Sequence, residues 1–160
     1  ENFRSRAEMF ESIVMALGGR IAEKLFLDDI STGASGDIQH ASSIARDMVM
    51  RYGMSEKLGP IAYEDASHSL FIGRDFGTTK SYSEKVAGTI DDEVKTLIDK
   101  AYHHCKQILE ENSDKLQQVV AFLLENESMT GQQFTDCMEG TEIRQDKNMS
   151  LFENFKEETE

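Results

Sequence analysis

Apolar residues recur at steps of three and four along most of this chain, a spacing that places them on one face of a helix. The first such stripe predicts a helix near the start of the sequence and consists of Phe10, Ile13, Val14, Leu17 and Ile21. Gly18 and Gly19 fall inside it. Because two glycines cost helix stability, we predict an interruption there, with a closely packed neighbour as compensation.

A polar stretch at residues 28–36, Asp-Asp-Ile-Ser-Thr-Gly-Ala-Ser-Gly, predicts a loop. A second helix should follow. Ser35 is expected to cap its start and Gly53 to end it. Its predicted inner face comprises Ile38, Ala41, Ala45, Met48, Val49 and Tyr52.

The second half of the chain predicts three more helices. A long one should follow the capping box of Ser81 and Glu84, and another should begin at Asn112 or Ser113. A short helix should open at the capping box of Thr130 and Gln133. The predicted fold is therefore mainly α, a helical bundle of about five helices.

Residues 53–80 lack helical periodicity. The runs 60–63 and 70–72 resemble short strands around a polar turn, so a small β-hairpin or an irregular segment is predicted at 53–80. After Gly140 the pattern fades, and residues 140–160 are expected to form a polar, flexible tail behind a single domain at 1–139. The chain starts without methionine inside a helical pattern, which suggests a piece of a longer protein.

The charge balance excludes some classes of partner. Thirty acidic residues face 17 basic ones, for a net charge of −13. A protein surface that binds nucleic acid or an anionic membrane needs clustered Lys and Arg, so neither is expected as a partner of this chain. Cys105 and Cys137 form no CxxC pair and suit reduced thiols. No signal peptide or apolar run of spanning length is present, so any membrane anchor would lie outside these residues.

Asp37 is the strongest candidate for chemistry. It follows the Ser-Thr-Gly-Ala-Ser-Gly loop at a predicted helix start, where free N–H groups favour an ionised carboxylate suited to a metal cation. An aspartate is also simply common in a first helical turn, and the pattern alone favours that explanation. His40 could lie on the same helix face as Asp37, and the two residues would then form half of a metal site, although a solvated histidine fits better.

Several ordered motifs resemble the FtsH family of AAA+ zinc metalloproteases. They are Leu-Gly-Gly-Arg-Ile-Ala-Glu at 17–23, Asp-Ile-Ser-Thr-Gly-Ala-Ser-Gly-Asp at 29–37, Tyr-Gly-Met-Ser-x-x-Leu-Gly-Pro at 52–60 and Phe-Ile-Gly-Arg-Asp at 71–75. The resemblance covers roughly residues 5–138. It implies that residues 1–139 are the C-terminal part of a mainly helical zinc peptidase domain.

The resemblance also implies a parent enzyme. That enzyme would be a membrane-anchored, ATP-dependent zinc endopeptidase that forms hexameric rings and degrades membrane and short-lived soluble proteins. ATP and magnesium would bind an AAA+ module outside this chain. The protease domain would face a cytosolic-type compartment, at the bacterial inner membrane or in a mitochondrion or plastid.

The family pattern assigns roles to two residues. Zinc is held by two histidines of a His-Glu-x-x-His helix and by an aspartate that matches Asp37, while the glutamate of that helix activates water. Glu23 matches an acidic position near the zinc, where it would either orient a ligating histidine or be an ordinary helix glutamate.

The sequence departs from the family pattern in containing no His-Glu-x-x-His. In the family that helix precedes the Gly-Gly-Arg motif, so truncation explains its absence, and the chain alone is expected to be inactive. Gly36 stands where many members have Asn. The alternative is a non-catalytic helical assembly or adaptor module from a degenerate paralogue.

Overall fold

The computed structural model describes residues 3–63 and 82–142. Over these ranges the chain forms five α-helices and one π-helical turn, with no strand, which confirms the predicted mainly α fold. The elements are α1 (Arg6–Phe26), α2 (Ser35–Arg46), the π-helical turn (Asp47–Arg51), α3 (Glu84–Glu111), α4 (Ser113–Asn126) and α5 (Gly131–Glu139). The chain divides into two compact units, the first ending at Leu109 and the second beginning at Glu110.

Helix α1 is the central element of the first unit. Its capping box is complete, because Ser5 accepts from the N–H of Glu8 and the Glu8 carboxylate accepts from the N–H of Ser5. The buried residues of this helix are Met9, Ile13, Val14, Leu17 and Ile21. They pack against α2, the π-helical turn and α3 through Ala41, Ile44, Ala45, Met48, Ala101 and Cys105.

The predicted interruption at Gly18 and Gly19 is wrong, because α1 runs unbroken through both residues. Glycine keeps its backbone N–H and C=O, so it weakens a helix without preventing one. The buried stripe on either side, with Ile21 fully buried, supplies the compensating stability.

Helix α2 starts and ends differently from a simple capped helix. Ser35 is its first residue and Ala34 occupies the cap position without a side-chain hydrogen bond, so the predicted serine cap is wrong. At the other end, α2 passes directly into the π-helical turn, where the N–H of Tyr52 donates to the carbonyl of Asp47 at 2.9 Å. Gly53, with φ of +57°, ends the helical run as predicted.

The segment after Gly53 is irregular up to residue 63, the last described residue of this range. The remainder of the predicted hairpin, including the run at 70–72, lies outside the described residues, as does Ser81. Helix α3 begins at Glu84, and its first turn is capped by Ser83, whose hydroxyl accepts from the N–H of Val86 at 3.3 Å.

The second unit contains α4 and α5. The predicted capping box of α5 is confirmed, with Thr130 and Gln133 hydrogen-bonded in both directions. The buried thiol of Cys137 lies 3.8 Å from the carbonyl of Lys115 on α4. The predicted tail at 140–160 lies outside the described residues beyond position 142. Among the helices that are described, none combines the length and apolar character needed to span a bilayer.

Candidate metal site

Asp37 lies in the first turn of α2, as its third residue. The side chain is exposed, and in the described part of the chain its carboxylate has neither a hydrogen bond nor an ion pair. Within the described residues, the carboxylate of Asp37 is therefore available as an oxygen ligand at the start of α2.

Gly19 of α1 lies near this carboxylate. A methyl group placed on Gly19 would lie 4.0 Å from Oδ2 of Asp37. The start of α2 thus sits against α1 at the point where α1 carries no side chain. The closely packed neighbour predicted for the glycine pair is not found among the described residues, because a methyl group on Gly18 would meet nothing within 4 Å and one on Gly19 would meet only this oxygen at 4.0 Å.

Glu23 lies one helical turn after Gly19 on α1, on the same face. Its carboxylate accepts two hydrogen bonds from Ser31, from the hydroxyl at 2.6 Å and from the backbone N–H at 3.1 Å. The Ser31 hydroxyl, then its N–H, and to a smaller extent the Arg20 guanidinium, hold the pKa of Glu23 below its ordinary value. Both carboxylate oxygens of Glu23 therefore accept hydrogen bonds from the loop before α2.

Arg20 is a weaker partner of Glu23. Its Nη1 lies 4.0 Å from Oε2 of Glu23, at the limit of an ion pair. The same nitrogen is buried and has no hydrogen-bond partner within the described residues. The two Ser31 contacts are shorter and direct, so they dominate the surroundings of the carboxylate.

The loop continues from Ser31 into α2 through local hydrogen bonds. The Ser31 hydroxyl accepts from the N–H of Gly33 at 3.1 Å. The N–H of Ser35 then donates to the carbonyl of Thr32 at 3.1 Å. Sequence reasoning missed Ser31, because nothing in the spacing of two residues eight positions apart indicates how an intervening loop folds.

His40 lies three residues after Asp37 on α2 and is exposed. It lines a separate surface cavity of about 550 Å³, whose other walls include Met9 and Tyr52. Asp37 does not line this cavity, and the described residues hold no third side chain that would complete a metal site with the pair.

The described ranges contain no group of three His, Cys, Asp or Glu side chains that could hold a metal. Asp37 offers one carboxylate, and zinc accepts carboxylate oxygen as one of its ligands. The described residues therefore fit a zinc ion only as a partial site, with Asp37 as one candidate ligand.

The sequence model of peptidase family M41 matches residues 1–137. "ATP-dependent zinc metalloprotease FtsH 1" of Thermoanaerobacter sp. (strain X514) is 48% identical over 141 residues, which are 88% of this chain and 23% of that protein. The FtsH metalloprotease of Caldicellulosiruptor bescii is 49% identical over 132 residues, 82% of this chain and 21% of that protein. The chain spans less than a quarter of the length of these relatives.

Proposed function

Because this chain belongs to peptidase family M41, we propose that it is part of the peptidase domain of an ATP-dependent zinc metalloprotease. The observation that carries the proposal is the unpaired carboxylate of Asp37 at the start of α2, inside the 137 residues that match the family. Relatives 48% and 49% identical carry the name of that activity.

Asp37 would be one of the zinc ligands. Its contribution is a carboxylate oxygen at the start of α2, near Gly19 of α1. When bound, zinc supplies Lewis acidity and an activated water for peptide hydrolysis. The chain holds no His-Glu-x-x-His motif, so the histidine ligands and the general base would come from residues outside it, and the chain alone would be inactive.

The whole protein would act on protein substrates. We further propose that it is a membrane-anchored hexamer, with ATP and magnesium bound by an AAA+ module and zinc bound by the peptidase domain. The anchor would lie outside this chain. These features follow from the family resemblance. They belong mostly to parts of the whole protein outside this chain, which covers only 23% of its Thermoanaerobacter relative.

The substitution Asp37→Asn in the whole enzyme tests the proposal. The amide keeps the size of the side chain and its ability to act near a helix start, but it removes the charge that balances zinc. We expect zinc affinity and proteolysis to fall by more than about 100-fold, at least the loss caused by removing a residue that only supports a ligand. The ATPase rate should stay close to that of the wild type.

His40→Ala is the matched control, because His40 is exposed on the same helix and lies in a separate cavity. It should retain zinc and most proteolysis. The same assay on residues 1–160 alone should show no cleavage. If Asp37→Asn kept full zinc and proteolysis while His40→Ala lost both, the ligand assignment would be wrong.

A further inference from the structure

We propose that the hydrogen bonds between Glu23 and Ser31, here called the Glu23 clamp, fix the loop before α2 and thereby position Asp37 for zinc. Glu23 is then a positioning residue that acts through the loop, rather than on a histidine. This inference rests on the proposed function, because it concerns the same metal ligand.

The clamp is a two-point attachment. Both carboxylate oxygens of Glu23 are engaged, Oε1 by the hydroxyl and Oε2 by the backbone N–H of Ser31. A bond to the backbone fixes the path of the chain, and a second bond to the same residue removes rotation about the first. Hydrogen bonds to a charged acceptor are also stronger than neutral ones.

The clamped residue is connected tightly to the start of α2. The Ser31 hydroxyl also accepts from the N–H of Gly33, so it binds both the clamp and the next turn of the loop. A methyl group placed on Gly33 would lie only 3.1 Å from that hydroxyl oxygen. Ser35 then begins the helix, and Asp37 follows two residues later.

Both anchoring points lie on one face of α1. Gly19 and Glu23 are four residues apart, so Asp37 and Ser31 meet the same side of that helix about one turn from each other. A shift of the loop along α1 would therefore move the Asp37 carboxylate away from Gly19.

Few other contacts hold the loop. All residues at 28–33 are exposed, and Ala34 is the first buried one. A solvated helix glutamate would leave this loop without a side-chain anchor on α1. Within the part of the chain that the structure describes, Asp29 accepts only from the N–H of the next residue, Ile30, and so does not tie the loop to another element.

The test uses the whole enzyme with Glu23→Ala, Ser31→Ala and the double variant. Zinc affinity is measured by competition with a chelator, and backbone amide exchange is followed over residues 28–38. We expect each single variant to bind zinc 10- to 100-fold more weakly, the range found when a group that supports a ligand is lost. Amide exchange over residues 28–38 should accelerate. The double variant should bind zinc no more weakly than the weaker-binding single variant, because both substitutions break the same contact.

Two further variants separate positioning from general damage. Ser31→Thr keeps the hydroxyl and should restore zinc affinity to within about threefold of the wild type. Glu11→Ala removes an exposed glutamate from the same helix and should change neither zinc affinity nor exchange. The ATPase rate should be unchanged in every variant, which shows that the enzyme still folds and assembles.

The outcomes distinguish the clamp from the zinc assignment. If Asp37→Asn loses zinc while Glu23→Ala and Ser31→Ala keep wild-type affinity and exchange, the clamp is overturned and the ligand assignment stands. If Asp37→Asn itself keeps full zinc, the proposed function fails, and the role of the clamp in zinc binding fails with it.

Discussion

Gly53 and Gly59 both adopt left-handed backbone conformations, with φ of +57° and +71°. Their surroundings differ. A methyl group on Gly53 would lie 2.8 Å from Cα of Pro60 and 3.1 Å from its carbonyl carbon, whereas one on Gly59 would meet nothing within 4 Å. Glycine is therefore favoured at Gly53 both by the backbone conformation and by the close approach of Pro60. At Gly59 it is favoured by the backbone conformation alone.

This pair predicts unequal costs of substitution. Gly59→Ala should lower the free energy of unfolding by about 1 kcal/mol, the cost of a left-handed alanine. Gly53→Ala should cost at least about 1 kcal/mol more, because the methyl group meets backbone atoms that cannot rotate away. Urea denaturation followed by circular dichroism measures both. Equal losses for the two variants would mean that the contact with Pro60 does not resist the added methyl group.

The residues of the candidate site differ in how far the sequence could reveal them. The position of Asp37 in a first helical turn follows from the loop composition and the apolar spacing after it, and the structure places it there. The partner of Glu23 was not predictable. Its bonds to Ser31 depend on the backbone path of seven intervening residues, and sequence periodicity carries no information about that path.

At the scale of elements, the segment after Gly53 is tied to α3 by one carboxylate. Glu93 of α3 accepts from the hydroxyl of buried Ser55 at 2.6 Å and pairs with Lys57 at 3.0 Å. The Ser55 hydrogen bond first, and then the contact with Lys57, hold the pKa of Glu93 below its ordinary value of 4.5. These bonds therefore stabilise the fold only while Glu93 is ionised.

The direction of the pKa shift predicts how stability depends on pH. Since the pKa of Glu93 is lower in the folded state than in the unfolded state, its contribution is complete above about pH 5 and is lost as the pH falls through the folded-state pKa. We expect Glu93→Gln to lower the free energy of unfolding by about 1–2 kcal/mol at pH 7. The difference from the wild type should shrink as the pH falls below 4.5.

Chemical denaturation at pH 7, 5 and 3.5 would measure this difference. Glu56→Gln is a suitable control, because Glu56 is exposed and its 3.6 Å pair with Arg6 is solvated, so little change is expected. A difference for Glu93→Gln that stayed constant over the whole range would show that the charge of Glu93 does not stabilise the connection.

The elements themselves were largely predictable, because long apolar stripes dictate helices whatever the details of the ends. The stripe of α1 was assigned correctly even though its glycine pair was expected to break it. The π-helical turn at Asp47–Arg51 was not anticipated, since a shift from four-residue to five-residue hydrogen bonding has no distinctive residue pattern. The predicted cap of α2 differs from the observed one by one residue, because local backbone geometry decides the exact end of a helix.

At the scale of the molecule, each compact unit contains one free, buried cysteine. Cys105 belongs to the unit that ends at Leu109, and Cys137 belongs to the unit that begins at Glu110. Their exposed fractions are 5% and 1%. Burial also raises the pKa of the Cys105 thiol, which lowers its thiolate fraction at neutral pH.

The two thiols should therefore report separately on the opening of each unit. We expect both to react with a disulfide reagent at least about 100-fold more slowly than a free cysteine under native conditions, because reaction requires local unfolding. Cys105→Ser and Cys137→Ser each leave a single reporter, whose reaction is followed against urea concentration. A thiol that reacted at the rate of free cysteine in native buffer would contradict its burial.

The π-helical turn also constrains how the length of this chain can change. Each of its hydrogen bonds spans one residue more than an α-helical bond, so Asp47–Arg51 accommodates an extra residue between α2 and the turn at Gly53. Loss of a single residue there would restore α-helical spacing without rotating the residues beyond it, because the turn itself takes up the extra residue. Loss of a residue within α2 would instead rotate everything beyond it by about 100° around the helix axis. Gly53 would then leave its close approach to Pro60, and the carbonyl of Met50 would no longer accept the hydrogen bond of 2.6 Å from the N–H of Tyr63. Single-residue deletions in related chains should thus fall within Asp47–Arg51 and be excluded from α2, even where the identities of the residues differ.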